Sequence, residues 1–233
     1  KNTELKREGM FHEGDKHKIM MVDMGAGTTD IVLCSYMVSR GKLEIADIFT
    51  YPSINTPGLC GGREIDQAII SEAELFINRM QKCPTASGQR VIKKLSRRVK
   101  SWKERTISWN LKQCDVLPEP DEITNFRDFL REFGAPIMNE SERFSIKRAY
   151  FESFTRKHWM QWVDLLRGSF GEVQGKQYDT LDCPRKPEDV EMLIVTGGHS
   201  QWYIVSDYLR GKKTLIDLPA INFAKIQNNP NRM

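Results

Sequence analysis

The chain has 233 residues, of which 39% are hydrophobic and 28% are charged, and its formal net charge is +4. These proportions are typical of a globular protein with a packed core, and they exclude a disordered or membrane-embedded chain. The charge is spread over 35 basic and 31 acidic residues, so it does not predict a nucleic-acid partner.

The five cysteines include no C-x-x-C pair, which favours free thiols in a reducing compartment. No apolar run approaches the roughly 20 residues that span a bilayer. We therefore expect a cytoplasmic protein with no membrane partner. The chain begins at Lys1, without an initiating methionine or a signal peptide, and both of its ends are polar. We expect it to be a segment of a longer protein, with residues 1–17 as a connecting segment.

The first informative stretch is a small-residue turn between two apolar runs. An apolar run ends at Asp23, and a second begins after Asp30. Between them lie two glycines separated by Ala26, followed by a pair of threonines. This order predicts strand, tight turn and strand. An ordinary hairpin would share the glycines, but acids are poor strand formers, so the flanking carboxylates point to a site.

The chemistry of this turn fits a phosphate group. Gly25 and Gly27 allow positive φ and leave no bulk between backbone and ligand. Successive backbone N–H groups form a concave anion site, to which the hydroxyls of Thr28 and Thr29 add hydrogen bonds. The two carboxylates can hold a hydrated Mg²⁺ beside the phosphate.

Further along the chain, residues 43–51 predict a third strand, which completes a meander. Apolar residues then recur at helical spacing from Ile65 to Met80, and again from Val91 to Trp102. The second of these helices carries basic residues on its other face. We interpret that face as solvated, and not as a nucleic-acid or membrane contact, because no aromatic residues interleave the charges.

The rest of the chain alternates between short strands and helices. We predict a strand over 107–116, a helix over 122–133, a short strand over 144–146 and a loop over 168–187. A long helix over 148–166 has core aromatic residues, among them Trp159 and Trp162. Residues 190–196 predict a buried parallel strand that runs into Gly197-Gly198 and a helix over 202–209. Such a glycine turn lets a phosphate or flat ligand approach a helix start.

The order of these motifs resembles the nucleotide-binding domain of the seventy-kilodalton (DnaK-type) heat-shock chaperones, within the actin-like ATPase superfamily. Residues 23–30 resemble its second phosphate motif, and residues 59–66 resemble its Gly-Gly-Glu-Asp-Phe-Asp helix start. Residues 102–108 are similar to its adenosine-contacting helix end, and residues 144–152 to its Arg-x-x-Phe-Glu element. Residues 195–200 resemble its adenosine motif.

The resemblance implies an α/β fold. A ribonuclease-H-like lobe, with a mixed sheet and flanking helices, would comprise residues 18–58 and 187–233. An inserted, mainly helical subdomain would comprise residues 59–186. Nothing in the chain matches the family's first phosphate hairpin or its catalytic lysine, so the chain would be the second lobe of such an ATPase.

The same resemblance implies a site for ATP or ADP with Mg²⁺. Asp23 and Asp30 would lie near the hydrated metal and the attacking water, with Thr28 as a third catalytic candidate. The phosphate and adenosine contacts would come from Gly25, Ala26, Gly27, Thr28, Thr29, Gly61, Gly62, Arg105, Ser108, Gly197, Gly198, His199 and Gln201. The chain departs from the family at Ala26, Ser101, Glu104, His199 and Gln201.

Three functions share this fold. The first is a chaperone-type switch, in which the nucleotide state is coupled to a client protein or co-chaperone. The second is an actin-like filament or cell-division ATPase, and the third is a sugar or acetate kinase. The helix start at residues 59–66 and the element at residues 144–152 favour the first. We expect ATP hydrolysis in the intact protein and negligible hydrolysis by this chain alone, because the other lobe completes the cleft.

Overall fold

The structure is a computed structural model that describes residues 13–40, 42–52, 60–81, 86–104, 148–212 and 216–227. Its strands are β1 (Lys16–Met24), β2 (Thr29–Ser39), β3 (Lys42–Tyr51) and β4 (Met192–Thr196). Its helices are α1 (Gly62–Gln81), α2 (Ala86–Trp102), α3 (Arg148–Val173), α4 (Tyr203–Leu209) and α5 (Ala224–Gln227).

The four strands form one mixed sheet in the order β3-β2-β1-β4. The first three pair antiparallel as a meander, and β4 lies parallel to β1. The predicted meander and the predicted parallel strand are confirmed. A parallel neighbour needs a crossover connection, and the described part of the chain between β3 and β4 contains helices α1, α2 and α3. The chain is therefore α/β, with a mixed sheet and flanking helices.

Alternation along β1 explains how the sheet is anchored. Met20, Val22 and Met24 are buried on one face, where they join the main hydrophobic core. Because the period of a strand is two, Asp23 points to the other face and is exposed at the strand end. The register then places Asp23 opposite Asp30 on β2 and beside Thr196 on β4.

Helix α3 packs on β2 and β3 and on helix α1. Trp159 and Trp162 are fully buried in the core, as predicted. The helix runs to Val173, so the predicted end at residue 166 is wrong. The misleading signal was Gly168, which suggests a helix end but is needed for packing: a Cβ there would meet the hydroxyl group of Tyr51.

Other predictions fall on the remainder of the chain. The strands over 107–116 and 144–146 and the helix over 122–133 lie outside the described residues. The division into two subdomains stays a prediction, although α3, which it assigns to the insertion, shares the core of the sheet. Within the described residues, no helix has the length and apolar character needed to cross a membrane.

Candidate functional site

The two glycine turns predicted from the sequence meet at one end of the sheet. Gly197 follows β4 with φ of 85° and ψ of 156°, a conformation that is essentially restricted to glycine. A Cβ at this position would meet the carbonyl group of Met24 and would lie 2.7 Å from Oδ1 of Asp23. The second turn is therefore packed directly against the end of β1.

The first turn is closed by a hydrogen bond from Gly25 N to the carbonyl of Thr28, at 2.9 Å. Neither Gly25 nor Gly27 uses the positive φ that glycine allows. A Cβ on Gly27 would approach only the Arg63 guanidinium, at 3.8 Å. The close approach occurs instead at Gly61, where a Cβ would lie 2.8 Å from backbone atoms of Ala26 and Gly27.

The start of α1 donates backbone hydrogen bonds to the carbonyl groups of this turn. Gly62 N donates to Gly25 O at 3.2 Å, and Arg63 N donates to Ala26 O at 2.7 Å. The amide of Gly61 donates to Oε2 of Glu64 at 2.8 Å, a capping-box arrangement. The amides of Gly61 and Gly62, expected to contact a nucleotide, are therefore already used within the protein.

The start of α1 forms hydrogen bonds with carbonyl groups of the turn, so amide groups of the turn remain available to a ligand. Among the described residues, nothing accepts a hydrogen bond from the amide of Ala26 or Gly27. Ala26 itself is exposed at the tip of the turn. Unpaired amides at an exposed tight turn are the donors that an anion binds.

The two carboxylates lie at the same end of the sheet, and both are exposed. Oγ1 of Thr28 donates to Oδ2 of Asp30 at 3.3 Å. Carboxylates on adjacent strand ends fit a hydrated Mg²⁺, which prefers one or two carboxylates and keeps several waters. The neighbouring Thr29 is different: it is fully buried and donates to the carbonyl of Cys60. Its predicted ligand contact is therefore replaced by a packing role.

A cavity of about 690 Å³ lies between the two turns, the start of α1 and the end of α2. It is lined by Gly25, Ala26, Gly62, Arg63, Asp66, Lys100, Lys103, Glu104, Gly198, His199, Gln201 and Trp202. The cavity thus brings together six of the residues predicted from the sequence: Gly25, Ala26, Gly62, Gly198, His199 and Gln201. Gly27, Thr28 and Gly197 lie in the adjoining turns and do not line it. Arg105 and Ser108 lie outside the described residues.

Lys103 is a member of this site that the sequence reasoning missed. Its side chain is buried, and its ammonium lies 2.6 Å from Oδ1 of Asp66 and donates to the carbonyl of Gly62 at 2.8 Å. It therefore ties the end of α2 to the start of α1. A signal was present in the sequence, since Lys103 follows Leu95 and Val99 at intervals of four on the buried face of a basic helix.

His199, which lines the cavity, forms a buried pair with His158. Nε2 of His158 lies 2.7 Å from Nε2 of His199. The ring of His199 also stacks on Trp159, with centroids 5.5 Å apart and planes 3° from parallel. Sequence spacing could not reveal this pair, although His158 lies beside Trp159 on the buried stripe of α3.

Burial keeps both imidazoles neutral. Desolvation, and then the charge of Lys103, lowers the pKa of His158 to about 4. Desolvation, followed by the neighbouring imidazole and Lys103, lowers the pKa of His199 to about 2. Cys60 completes the group with Sγ 3.7 Å from Nδ1 of His158. Desolvation raises the pKa of this thiol to about 12, so the thiol keeps its proton.

No protein-family model matches the chain, and no curated protein matches it. Within the described part of the chain, no group of three or more histidine, cysteine or acidic side chains is arranged around one metal position.

Proposed function

We propose that this chain binds ATP or ADP with Mg²⁺ as the second lobe of a DnaK-like ATPase of the actin-like superfamily. In the intact protein it would act as a nucleotide-dependent conformational switch joined to a first lobe. The observation that carries the proposal is the single cavity bounded by both glycine turns and by the facing ends of α1 and α2. The mixed sheet with flanking helices is compatible with the ribonuclease-H-like lobe that the resemblance implies.

The phosphate groups would bind at the first turn. The unpaired amides of Ala26 and Gly27 supply donors that need no rearrangement when an anion arrives. Arg63 and Lys100 line the adjoining cavity and add positive charge. Hydrogen bonds from the start of α1 to the carbonyls of this turn fix the direction of its peptide planes. The turn is therefore held in shape before a ligand binds.

Asp23 and Asp30 would hold the hydrated metal ion beside those phosphates. When bound, Mg²⁺ would neutralise charge that develops on the transferring phosphoryl group. The Asp30 carboxylate, oriented by the hydroxyl of Thr28, would position the attacking water. Both carboxylates are at the exposed end of the sheet, where a second lobe has access to them.

The switch would work through closure of the two lobes around the nucleotide. A ligand shifts such an equilibrium only by as much as it prefers the closed form, so groups on both lobes have to touch it. This chain supplies one wall of the cleft. We therefore expect it to bind a nucleotide weakly and to hydrolyse it negligibly without the first lobe. A client protein or co-chaperone would then recognise the closed state.

Isothermal titration calorimetry of the chain with ATP and Mg²⁺ tests this proposal. We expect measurable binding that is lost in Asp23→Ala and unchanged in Asp164→Ala, a matched change at an exposed aspartate on α3. If wild type binds ATP and both variants bind it as strongly as wild type does, the placement of the metal-bound phosphates is contradicted. Absence of binding to ATP and ADP by the folded wild-type chain would contradict the function itself.

A further inference from the structure

The outward side of helix α2 is positively charged along most of its length. Of its 17 residues, six are basic and none is acidic, and all six basic side chains are exposed. Leu95 and Val99 are buried on the opposite side, where they attach the helix to the hydrophobic core. Because the apolar side does the packing, the basic side is left free to act in solution.

Four of these cations form a single row. They follow one another at intervals of three, four and three residues, which places them along one side of the helix: Arg90, Lys93, Arg97 and Lys100. The row is about 15 Å long. Within the described part of the chain, none of the four side chains has an ion-pair or hydrogen-bond partner. No carboxylate of those described residues therefore compensates the charge of the row.

One end of the row reaches the cavity. Lys100 is exposed and lines the cavity, whereas the other three members of the row lie outside it. Lys103, which follows the end of α2, is buried in the cavity wall. Helix α2 therefore points toward the candidate site, and a ligand that moves along the row from Arg90 to Lys100 arrives at the edge of the cavity.

Among the described residues, the site itself has no excess of positive charge. Three basic and two acidic side chains line the cavity, and two further carboxylates lie at the adjoining strand ends: Arg63, Lys100, Lys103, Asp66, Glu104, Asp23 and Asp30. An anion that approaches past the strand ends is repelled by carboxylates until a metal ion neutralises them. Attraction at a distance has to come from charges outside the cavity, and the row on α2 has such charges.

We propose that Arg90, Lys93 and Arg97 guide phosphate-bearing ligands along α2 to the cavity. The three side chains raise the rate of association through their field and do not touch the bound ligand. The rate of dissociation stays the same, because steering acts on the approach of the two molecules. This inference rests on the proposed function, and it adds to that function a selectivity for anionic over uncharged ligands.

The test is a row variant that combines Arg90→Gln, Lys93→Gln and Arg97→Gln. Glutamine keeps the helix propensity of these exposed positions, and Lys100 is left in place because it lines the cavity. Stopped-flow fluorescence measures association and dissociation of Mg·ATP that carries a fluorescent group on its base. At about 0.02 M salt we expect association to be about fivefold slower in the row variant, with dissociation unchanged. At about 0.5 M salt the two proteins should associate at the same rate, because screening removes the field.

A matched control removes the same three charges elsewhere. It combines changes to glutamine at three exposed lysines: Lys42, Lys176 and Lys186. Lys42 begins β3 and Lys186 precedes β4, so both lie toward the end of the sheet opposite to the glycine turns. Lys176 follows α3, which ends about 22 Å along its axis from His158. The control variant should associate with ATP as fast as wild type does.

The outcomes separate this inference from the proposed function. If wild type binds ATP but associates no faster than the row variant, or if the control variant is slowed as much as the row variant, the guiding role alone is overturned. A slower association that persists at high salt, or a faster dissociation, would show a direct contact and would also overturn it. Uncharged adenosine should bind wild type and the row variant equally. A wild-type chain that binds neither ATP nor tripolyphosphate in calorimetry overturns the proposed function itself, and the inference with it.

Discussion

The Gly61→Ala substitution probes the contact that holds the phosphate turn in place. It adds a Cβ 2.8 Å from three backbone atoms, the carbonyl carbon of Ala26 and the N and C atoms of Gly27. No rotamer change relieves this overlap, because every atom involved belongs to the backbone. Either the start of α1 or the turn has to move, and the hydrogen bonds from Gly62 and Arg63 to the turn are lost or lengthened.

The expected cost follows from the size of the overlap. Inserting a methyl group into a packed site costs typically about 1–3 kcal/mol. For a chain of this length, each kcal/mol lowers the melting temperature by about 2–4 °C. We therefore expect Gly61→Ala to melt roughly 4–8 °C below wild type, taking about 2 kcal/mol as the central value. Its affinity for ATP should fall as well, since the turn is displaced.

Two other glycines provide matched controls for the same change. Gly171 lies inside α3, and a Cβ there has nothing within 4 Å. Gly171→Ala should stabilise the protein by up to about 1 kcal/mol through helix propensity. Gly27→Ala should be tolerated, because its Cβ meets only the end of the Arg63 side chain at 3.8 Å. Thermal melts followed by circular dichroism compare all three variants. A Gly61→Ala melting temperature equal to that of wild type would refute the reasoning.

Two further predictions concern the buried polar groups. Burial lowers the pKa of His158 to about 4 and that of His199 to about 2. In the unfolded chain both imidazoles have their ordinary pKa of 6.5, so between pH 6.5 and about pH 4 only the unfolded chain binds a proton on each ring. Stability should therefore be full above about pH 7 and fall by roughly 4 kcal/mol by pH 5, and His158→Gln should reduce this slope in urea titrations. Tyr203→Phe removes the 2.7 Å hydrogen bond to the fully buried carboxylate of Glu152. It should cost about 2 kcal/mol in the same assay, and a loss below about 0.5 kcal/mol would contradict this role.

The parts of the fold that could be predicted depend on local signals. Period-two alternation and glycine turns located β1 to β3, and a short apolar run before Gly197 located β4. The end of α3 was missed because Gly168 reads as a helix terminator, whereas tertiary packing against Tyr51 keeps it inside the helix. Packing of this kind has no local signature, so propensity alone fails at such positions.

The residues of the candidate site also divide into those that local signals predict and those that only tertiary packing brings together. Residues of the two turns could be predicted, because small residues and acids at strand ends carry a chemical meaning at short range. The contacts of Lys103 and His158 could not, because their partners Gly62 and His199 lie 41 residues away in each case, although the spacing of Lys103 indicated its burial. For Gly61 the residue was identified but its role was not. Its lack of a side chain serves the backbone of the phosphate turn, and its amide is bonded to Glu64.

Lys103 connects two parts of the cavity wall, and this has a consequence for the proposed switch. Its ammonium joins the end of α2 to the start of α1 through Asp66 and Gly62, and its side chain lines the cavity. A ligand that contacts Lys103 would therefore also stabilise the contact between the two helices. Since the start of α1 holds the phosphate turn, the turn and the end of α2 are linked through one lysine and one helix start. Nucleotide binding would thus stiffen the whole wall, which in the proposed function is the surface against which a second lobe would close.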